Sequence, residues 1–186
     1  MSEQFRICFV CLGNVCRSPT AEVIFRWRLS RGGFGDLVVV SSAGTSTWHV
    51  GDPMDPRSRD ALVAAGYDRE DAKRHRARHF TRLSFSEVDM VVAMDRSNEE
   101  ELRALASDDR ALEKIRLMRS FDATATSEDD LDVPDPYYGG PDGFQKVVKV
   151  IEQSGDGLLA EMARALGRDR AHRPLRDGRG PGAGPP

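Results

Sequence analysis

The chain has 186 residues, of which 39% are hydrophobic and 31% are charged, and its formal net charge is −3. This length fits one globular domain, and so small a net charge excludes a strong attraction of the whole chain to nucleic acid or to anionic lipid. No apolar segment approaches the roughly 20 residues that a membrane helix requires. Residues 1–4 lack the features of a signal peptide. We therefore expect a cytoplasmic protein, with secretion by a non-classical route left open.

Strand-like and helix-like segments alternate along the chain. Apolar, β-prone runs predict four strands, at residues 5–10, 37–40, 88–94 and 115–118, with a polar loop at 41–45. Helical spacing and capping residues predict helices at 20–29, at 56–65, from an N-cap at Ser97 to about 106, and at 143–166 with a break near Ser154. Runs without strict alternation are typical of strands covered on both faces. The sequence thus predicts a single-domain α/β fold, a four-stranded parallel sheet flanked by helices on both faces.

The last segment, residues 167–186, is rich in Arg, Gly and Pro. A segment of this composition cannot bury a core. We predict a folded domain over residues 1–166 and a disordered tail over 167–186.

All three cysteines lie between positions 8 and 16. An odd number bunched in this way is no disulfide framework, and zinc would require a second cluster of Cys or His. We therefore expect neither a metal nor a cofactor. Cys8 lies inside the first predicted strand and is expected to be an inert core residue.

The segment between the first strand and the first helix carries the chemistry. It reads Cys11-Leu12-Gly13-Asn14-Val15-Cys16-Arg17-Ser18 and is followed by Pro19. A cysteine and an arginine with five residues between them, bent around a glycine, can form a cup of backbone N–H groups around a tetrahedral dianion. The expected phosphate-binding residues are Leu12, Gly13, Asn14, Val15, Cys16, Arg17 and Ser18. The sequence thus predicts a phosphate-binding loop after the first strand.

Cys11 is the candidate nucleophile, since N–H donors, an arginine and a helix N-terminus all favour the thiolate form of a cysteine. Arg17 offers a planar fork to two phosphoryl oxygens. The Ser18 hydroxyl can donate to the Cys11 thiolate. Asn14 tolerates left-handed dihedral angles and can brace the loop.

A second segment, Val133-Pro134-Asp135-Pro136-Tyr137-Tyr138, supplies the candidate general acid. Prolines on both sides of Asp135 favour one extended conformation. Tyr137 and Tyr138 offer aromatic faces that can flank a phenyl ring. The alternative is a turn with a solvated Asp and surface tyrosines, which the presence of the Cys11 loop disfavours.

These two segments resemble the low-molecular-weight protein tyrosine phosphatase family, of the bacterial type. Further similarity lies in the segments Ser42-Ala43-Gly44-Thr45, Trp48-His49-Val50-Gly51, Met94-Asp95 and Arg119-Ser120-Phe121-Asp122. The resemblance covers residues 5 to about 166, so residues 1–166 are expected to be a phosphatase-like catalytic domain. It implies metal-independent hydrolysis of phosphotyrosine through a phosphocysteine, with Cys11 as nucleophile, Arg17 as phosphate clamp, and Asp135 as acid and then base.

The resemblance also implies a pocket deep enough for phosphotyrosine. Its expected lining is Leu12, Trp48, His49, Tyr137 and Tyr138. His49 has no evident carboxylate partner in the sequence, so a lining role is favoured over that of a catalytic base. Cys16 is either a small buried residue or a redox partner that forms a disulfide with Cys11 under peroxide, as the resemblance implies for family members with a second loop cysteine.

Three other functions fit part of the pattern. A thiol-dependent arsenate reductase would require cysteines beyond Cys16, and none follows. A protein-arginine phosphatase is disfavoured because Val15 is apolar and cannot form a hydrogen bond with a guanidinium. A non-catalytic phosphate-binding module would require neither the thiol nor Asp135.

The resemblance implies phosphotyrosine proteins as partners, a tyrosine kinase among the possible ones. We expect a monomer that binds neither nucleic acid nor membrane. The basic run at residues 73–79 lacks interleaved aromatic residues, so we interpret it as a solvated connection and not as a nucleic-acid site.

Overall fold

A computed structural model describes residues 4–166, the side chain of Asp129 excepted. Four parallel strands form one sheet in the order β2-β1-β3-β4. The strands are β1 (Phe5–Cys11), β2 (Val38–Gly44), β3 (Met90–Ala93) and β4 (Ile115–Leu117). The helices are α1 (Arg17–Arg31), α2 (Pro56–Ala64), α3 (Arg69–Lys73), α4 (Arg96–Leu105), α5 (Asp109–Glu113) and α6 (Pro141–Ala165). Three 3₁₀ turns lie at Arg82–Glu87, Met118–Phe121 and Glu128–Leu131.

The two faces of β1 belong to two different cores. Ile7 and Phe9 pack in the larger core, which also contains side chains of α1, α2 and α6. Cys8 and Val10 face the smaller core, which contains side chains of α4 and α5. Helices therefore cover both faces of the sheet, as the unbroken apolar runs predict.

The strand register brings the site segments together. Cys11 at the end of β1 pairs with Gly44 at the end of β2, and Val10 pairs with Ala93 at the end of β3. Because the carboxyl ends of parallel strands meet at one edge, loops from distant parts of the chain converge there. The phosphate-binding loop lies at this edge.

Three predictions of local structure were wrong. Residues 41–44 continue β2, because their backbone pairs with β1. Helix α4 begins two residues early, since its N-cap is Asp95 and not Ser97; Asp95 Oδ1 accepts from the Asn98 N–H at 2.7 Å. Helix α6 runs without a break through Gly155, where Arg28 Nη1 lies 2.5 Å from the place of a Cβ.

The short helices α3 and α5 and the three 3₁₀ turns were not predicted, since segments of four to six residues carry no periodic signal. The predicted tail, residues 167–186, lies outside the described residues and stays a prediction. Over residues 4–166, no helix combines the length and the apolar character required to cross a membrane.

Candidate active site

A pocket of about 270 Å³ opens at the carboxyl end of β1. It brings together the three predicted catalytic residues, Cys11, Arg17 and Asp135, although Asp135 is far from the other two in sequence. The rest of its lining is Leu12, Gly13, Val15, Cys16, Trp48, His49, Tyr137 and Tyr138. Asn14 and Ser18 are fully buried beneath the loop.

The carbonyl groups of the loop point outward into the surrounding protein. Five of them are hydrogen-bonded there: Cys11 O accepts from Thr45 N, Leu12 O from Ser46 N, Asn14 O from His75 Nε2, Val15 O from Asp55 N and Cys16 O from Thr20 N. These bonds are 2.7–3.2 Å long. The loop is therefore held by its carbonyls, from four separate segments of the chain.

This arrangement fixes the direction of the loop amides. In a trans peptide, the C=O of one residue and the N–H of the next point in opposite directions, and the described chain has no cis peptide bond. The N–H groups that follow the five outward carbonyls belong to Leu12, Gly13, Val15, Cys16 and Arg17. They face the pocket side, and no protein acceptor is found for them among residues 4–166. The site thus holds a ring of free donors suited to an anion.

Asn14 locks the loop from below. Its backbone adopts φ 54°, the left-handed region that Asn tolerates better than most residues. Its Nδ2 donates to Ser18 Oγ and Ser42 Oγ, both at 2.9 Å, and its Oδ1 accepts from Arg78 N at 2.8 Å. The predicted bracing role of Asn14 agrees with these contacts.

The sulfur of Cys11 sits between two donors. Ser18 Oγ lies 3.0 Å from it, and the Asn14 backbone N–H donates to it at 3.3 Å. Because Ser18 Oγ already accepts from Asn14 Nδ2, its own hydrogen is left for Cys11 or for the Ala43 carbonyl oxygen at 3.2 Å. A negative sulfur would attract that hydrogen more strongly than a neutral carbonyl does.

Gly44 allows the loop to lie directly against β2. A Cβ at this position would lie 2.6 Å from Leu12 O and 3.1 Å from Asn14 N. Both are backbone atoms of the loop, which cannot move aside without disturbing the ring of amides. A glycine is therefore required at this position.

Arg17 is the most strongly held charge of the site. Its guanidinium is almost fully buried. Nη1 donates to Asp95 Oδ2 and, at 3.2 Å, to Val133 O, and Nη2 donates to Asp135 Oδ2 at 2.7 Å. These negative neighbours and the nearby Cys11 raise the pKa of Arg17, against the opposing effect of burial. Asp95 therefore has two roles: it caps α4 and it anchors Arg17.

The Asp135 carboxylate is held at both oxygens. Oδ2 accepts from Arg17, and Oδ1 accepts from the Tyr137 N–H at 3.0 Å. The side chain is 45% exposed, so it stands at the mouth of the pocket and in reach of solvent.

Aromatic side chains surround the mouth of the pocket. Trp48 and Tyr138 are largely exposed, and the Tyr137 ring lies 5.1 Å from that of Tyr138 and 6.2 Å from that of His49. The predicted pocket residues are thus brought together. The sequence missed the partner of His49, whose Nδ1 lies 2.9 Å from Asp52 Oδ2.

The other two cysteines differ from Cys11 in their surroundings. Burial raises the pKa of Cys8 to about 12. Burial, together with the negative charge of Asp55, raises that of Cys16 to about 12. Both thiols stay protonated at neutral pH, and the prediction of Cys8 as a core residue agrees with its burial.

Sequence reasoning missed the residues that support the loop from outside. The side chain of His75 is only 6% exposed and Ala77 is buried, so the prediction of a solvated run was wrong for these two residues. The other five residues of the run are exposed, as predicted: Lys73, Arg74, Arg76, Arg78 and His79. Burial lowers the pKa of His75 and favours its neutral form. Asp55 carried a visible signal, because Asp before Pro56 is a common start of a helix. His75 carried none.

Among residues 4–166, no group of three or more His, Cys, Asp or Glu side chains is arranged to hold a metal ion. The pocket is lined by the thiols of Cys11 and Cys16, the guanidinium of Arg17 and the carboxylate of Asp135. A parallel α/β sheet with a Cys-x5-Arg loop at the end of its first strand and a carboxylate at the mouth defines a cysteine-type phosphatase.

Comparison with known proteins identifies the family within this class. The family model described as low molecular weight phosphotyrosine protein phosphatase matches residues 6–169. The chain belongs to this family, a group of metal-independent protein-tyrosine-phosphatases, which confirms the predicted family, fold and enzyme class.

Individual relatives agree. The low-molecular-weight protein-tyrosine-phosphatase of Streptomyces coelicolor is 48% identical over 156 residues, which cover 84% of this chain and 92% of the relative. The low molecular weight protein-tyrosine phosphatase A of Mycobacterium tuberculosis is 41% identical, over 91% of this chain and 98% of the relative. Among solved structures, a protein tyrosine phosphatase from Entamoeba histolytica superimposes with a TM-score of 0.80 at 31% identity, over 88% of this chain and 99% of that one.

Proposed function

We propose that this enzyme hydrolyses phosphotyrosine in proteins by two displacements at phosphorus, with Cys11 as nucleophile, Arg17 as phosphate clamp and Asp135 as general acid and then base. One observation carries the proposal. Cys11, an inward-facing ring of amides and the Arg17–Asp135 pair, joined at 2.7 Å, share one pocket. A binding module would require the amides and the arginine, but neither the thiol nor the carboxyl.

Substrate binding prepares the acid. In the free enzyme, Arg17 donates to Asp135. An incoming phosphate dianion takes donors from the Arg17 fork and repels negative charge on Asp135. Both effects favour the protonated carboxyl, which is the form that the first step requires.

In the first step, the Cys11 thiolate attacks phosphorus and the bond from phosphorus to the tyrosyl oxygen breaks. That oxygen takes the proton of Asp135 and leaves as a neutral phenol. The equatorial oxygens stay on the loop amides and Arg17 throughout. These donors are fixed before the reaction, so they stabilise the transition state without reorganising.

In the second step, Asp135 removes a proton from water and the resulting hydroxide attacks the phosphocysteine. The S–P bond breaks, inorganic phosphate forms and Cys11 leaves as a thiolate. Ser18 and the Asn14 N–H, at 3.0 and 3.3 Å from the sulfur, stabilise the negative charge that develops there.

Tyrosine is favoured as the phosphorylated residue by the walls of the pocket. Trp48, Tyr137 and Tyr138 present aromatic faces to a phenyl ring. Val15 lines the pocket with an apolar side chain and offers no hydrogen bond to a guanidinium. Leu12 and His49 complete the wall at the entrance.

For Cys16 we propose a protective redox role beside its packing role. Peroxide oxidises the Cys11 thiolate to a sulfenic acid and is itself reduced to water; the Cys16 sulfur then attacks the sulfenic sulfur, which forms the disulfide and releases a second water. A pKa of about 12 makes Cys16 a slow partner at neutral pH. Mass spectrometry after mild peroxide treatment tests this, and an absent Cys11–Cys16 bridge counts against it.

We further propose that the enzyme works as a monomer in the cytoplasm, on phosphotyrosine proteins that include a tyrosine kinase. Cys11, Arg17 and Asp135 line one pocket of a single chain, so the proposed mechanism requires no residue from a second copy. A free, reduced Cys11 is required for catalysis, and the cytoplasm keeps thiols reduced.

The decisive experiment compares phosphotyrosine and phosphoarginine peptides in the presence of a chelator. We expect hydrolysis of the first, and loss of at least about 1,000-fold in Cys11→Ser and of about 100-fold or more in Asp135→Asn. Rapid acid quench should trap a phosphocysteine on the wild type. A fully active Cys11→Ser would refute sulfur as the nucleophile, and preference for phosphoarginine would refute the substrate class.

A further inference from the structure

Arg57 stands outside the residues assigned to chemistry, yet it contacts both halves of the site. Its Nη1 donates to the Tyr137 carbonyl oxygen at 3.1 Å, and its Nε and Nη2 pair with the two Asp55 oxygens at 3.1 and 2.8 Å. The guanidinium carbon also lies 4.5 Å from the ring centre of Phe144 and 5.6 Å from that of Tyr137. So many directed contacts by a half-exposed arginine indicate a specific task.

The Asp55 end of this connection is anchored in the phosphate-binding loop. The Asp55 N–H donates to Val15 O at 2.9 Å. Asp55 Oδ1 also accepts from the Arg57 N–H at 2.8 Å, which caps α2. Arg57 is thus fixed relative to the loop that holds the phosphate.

The Tyr137 end reaches the general acid. The Tyr137 N–H donates to Asp135 Oδ1 at 3.0 Å, while the carbonyl of the same residue accepts from Arg57. The same guanidinium covers the ring of Phe144, in the first turn of α6, directly after this segment. A shift of Tyr137 would therefore move the carboxyl of Asp135 with it.

We propose that Arg57 is a positioning residue for Asp135, which ties the general-acid segment to the phosphate-binding loop. The proposal rests on the proposed function. In the free enzyme, Arg17 holds the other oxygen of Asp135 at 2.7 Å. A bound phosphate competes for that guanidinium, so in the substrate complex the link from Arg57 through Tyr137 carries more of the restraint on the acid.

The chemistry of the link requires an arginine. One planar fork makes the bidentate pair with Asp55, reaches the Tyr137 carbonyl and stacks on an aromatic ring at the same time. A lysine keeps the charge but cannot do all three. Loss of the link made by Arg57 should slow hydrolysis most for substrates whose leaving oxygen must be protonated as it departs. An activated leaving group departs without an acid, so its hydrolysis should be affected least.

The test measures kcat/KM for aryl phosphates whose leaving groups range from dinitrophenol to tyrosine, because kcat/KM reports steps up to the first P–O cleavage. The variants are Arg57→Met and Arg57→Lys, with Asp135→Asn as the reference for a lost acid. Arg103→Met is the matched control, since Arg103 forms an exposed pair with Glu99 on α4, away from the pocket. Active sites are counted by vanadate titration, so that each rate is expressed per folded enzyme.

We expect Arg57→Met to lose about 10- to 100-fold on phosphotyrosine but less than about threefold on dinitrophenyl phosphate, so that its leaving-group slope moves toward that of Asp135→Asn. The kcat/KM and leaving-group slope of Arg57→Lys should lie between those of Arg57→Met and the wild type. If Arg57→Met does not fold, Arg57→Lys alone carries the test. Arg103→Met should match the wild type.

An equal loss across the whole leaving-group series would overturn the proposal, since that is what a merely structural arginine gives. If Asp135→Asn steepens the slope and neither Arg57 variant does, only the positioning role fails. If Asp135→Asn leaves the slope unchanged, both the assigned acid and this inference fail.

Discussion

The Ser18 hydroxyl oxygen lies 3.0 Å from the Cys11 sulfur, at the fully buried base of the phosphate-binding loop. The same oxygen accepts from Asn14 Nδ2, which in turn donates to Ser42 on β2. Ser42 donates to Glu22 of α1. Strand β2, helix α1 and the phosphate-binding loop thus together fix the orientation of one donor to the reactive sulfur.

Ser18→Ala should slow release of the Cys11 thiolate from the phosphocysteine. A hydrogen bond to a charged group contributes about 1.5–3 kcal/mol, which corresponds to a loss in kcat of about 10- to 100-fold. The amount of phosphoenzyme trapped by acid quench should rise at the same time. Ser41→Ala is the control, because the Ser41 hydroxyl donates to Ile7 O within the sheet and away from the pocket. Unchanged turnover in Ser18→Ala would remove the hydroxyl from the mechanism.

Asp95→Asn separates the two roles of Asp95. Asn caps a helix as well as Asp does, so α4 should persist and the melting temperature should stay within a few degrees of that of the wild type. The nearly buried Arg17 loses one of its two paired charges and part of what fixes its orientation, so kcat/KM on phosphotyrosine should fall about tenfold or more. Asp95→Ala should lower both activity and stability.

Asp108→Asn is the matched control for this pair of variants. Asp108 also caps a helix with its side chain, accepting from Ala111 N at 2.9 Å, but it lies on α5 and has no contact with Arg17. The Asp108→Asn substitution should therefore leave kcat/KM on phosphotyrosine unchanged. If the kcat/KM of Asp95→Asn equals that of Asp108→Asn, Arg17 needs no anchor beyond Asp135 and Val133.

Gly44→Ala should damage both stability and activity, because a methyl group there would lie 2.6 Å from Leu12 O. Forcing backbone apart costs about 1–3 kcal/mol in the free energy of unfolding, and the displaced loop no longer holds its amides in a ring. Gly140→Ala is the control, since nothing lies within 4 Å of the added carbon. Thermal unfolding and phosphate inhibition constants measure the two effects, and a Gly44→Ala enzyme with wild-type phosphate affinity would contradict the geometry.

The three thiols should react very differently with iodoacetamide. With pKa values raised to about 12, Cys8 and Cys16 are protonated and buried at pH 7, so the native enzyme should be labelled at Cys11 alone. Because their thiolate fraction grows tenfold for each pH unit below that value, any labelling of Cys16 should accelerate as the pH rises from 7 to 9. Peptide mapping measures the sites, and the unfolded chain should take three labels. Rapid labelling of Cys16 in the native enzyme at pH 7 would contradict its raised pKa.

The sequence by itself determined the fold class and the identity of the chemical groups. Apolar runs predicted the four strands to within a few residues. Cys11, Arg17 and Asp135 stand in local sequence patterns that predict a phosphate-binding loop and a general acid flanked by prolines, and the three residues line one pocket. Such features are readable because each depends on residues close together in the chain. Where a local signal was weak or had a competitor, the prediction was wrong, as at the supposed break in α6 and at the N-cap of α4.

Only the tertiary structure decided what holds these groups in place. Asp95, His75 and the pair Asp55 and Arg57 come from three separate segments, and each of these residues contacts a residue far away in the chain. The outward pull on the loop carbonyls, and hence the inward direction of the amides, results from those contacts and from the parallel register that brings three strand ends to one edge. Local sequence specifies which atoms react, whereas long-range packing fixes the distances and angles at which they do so.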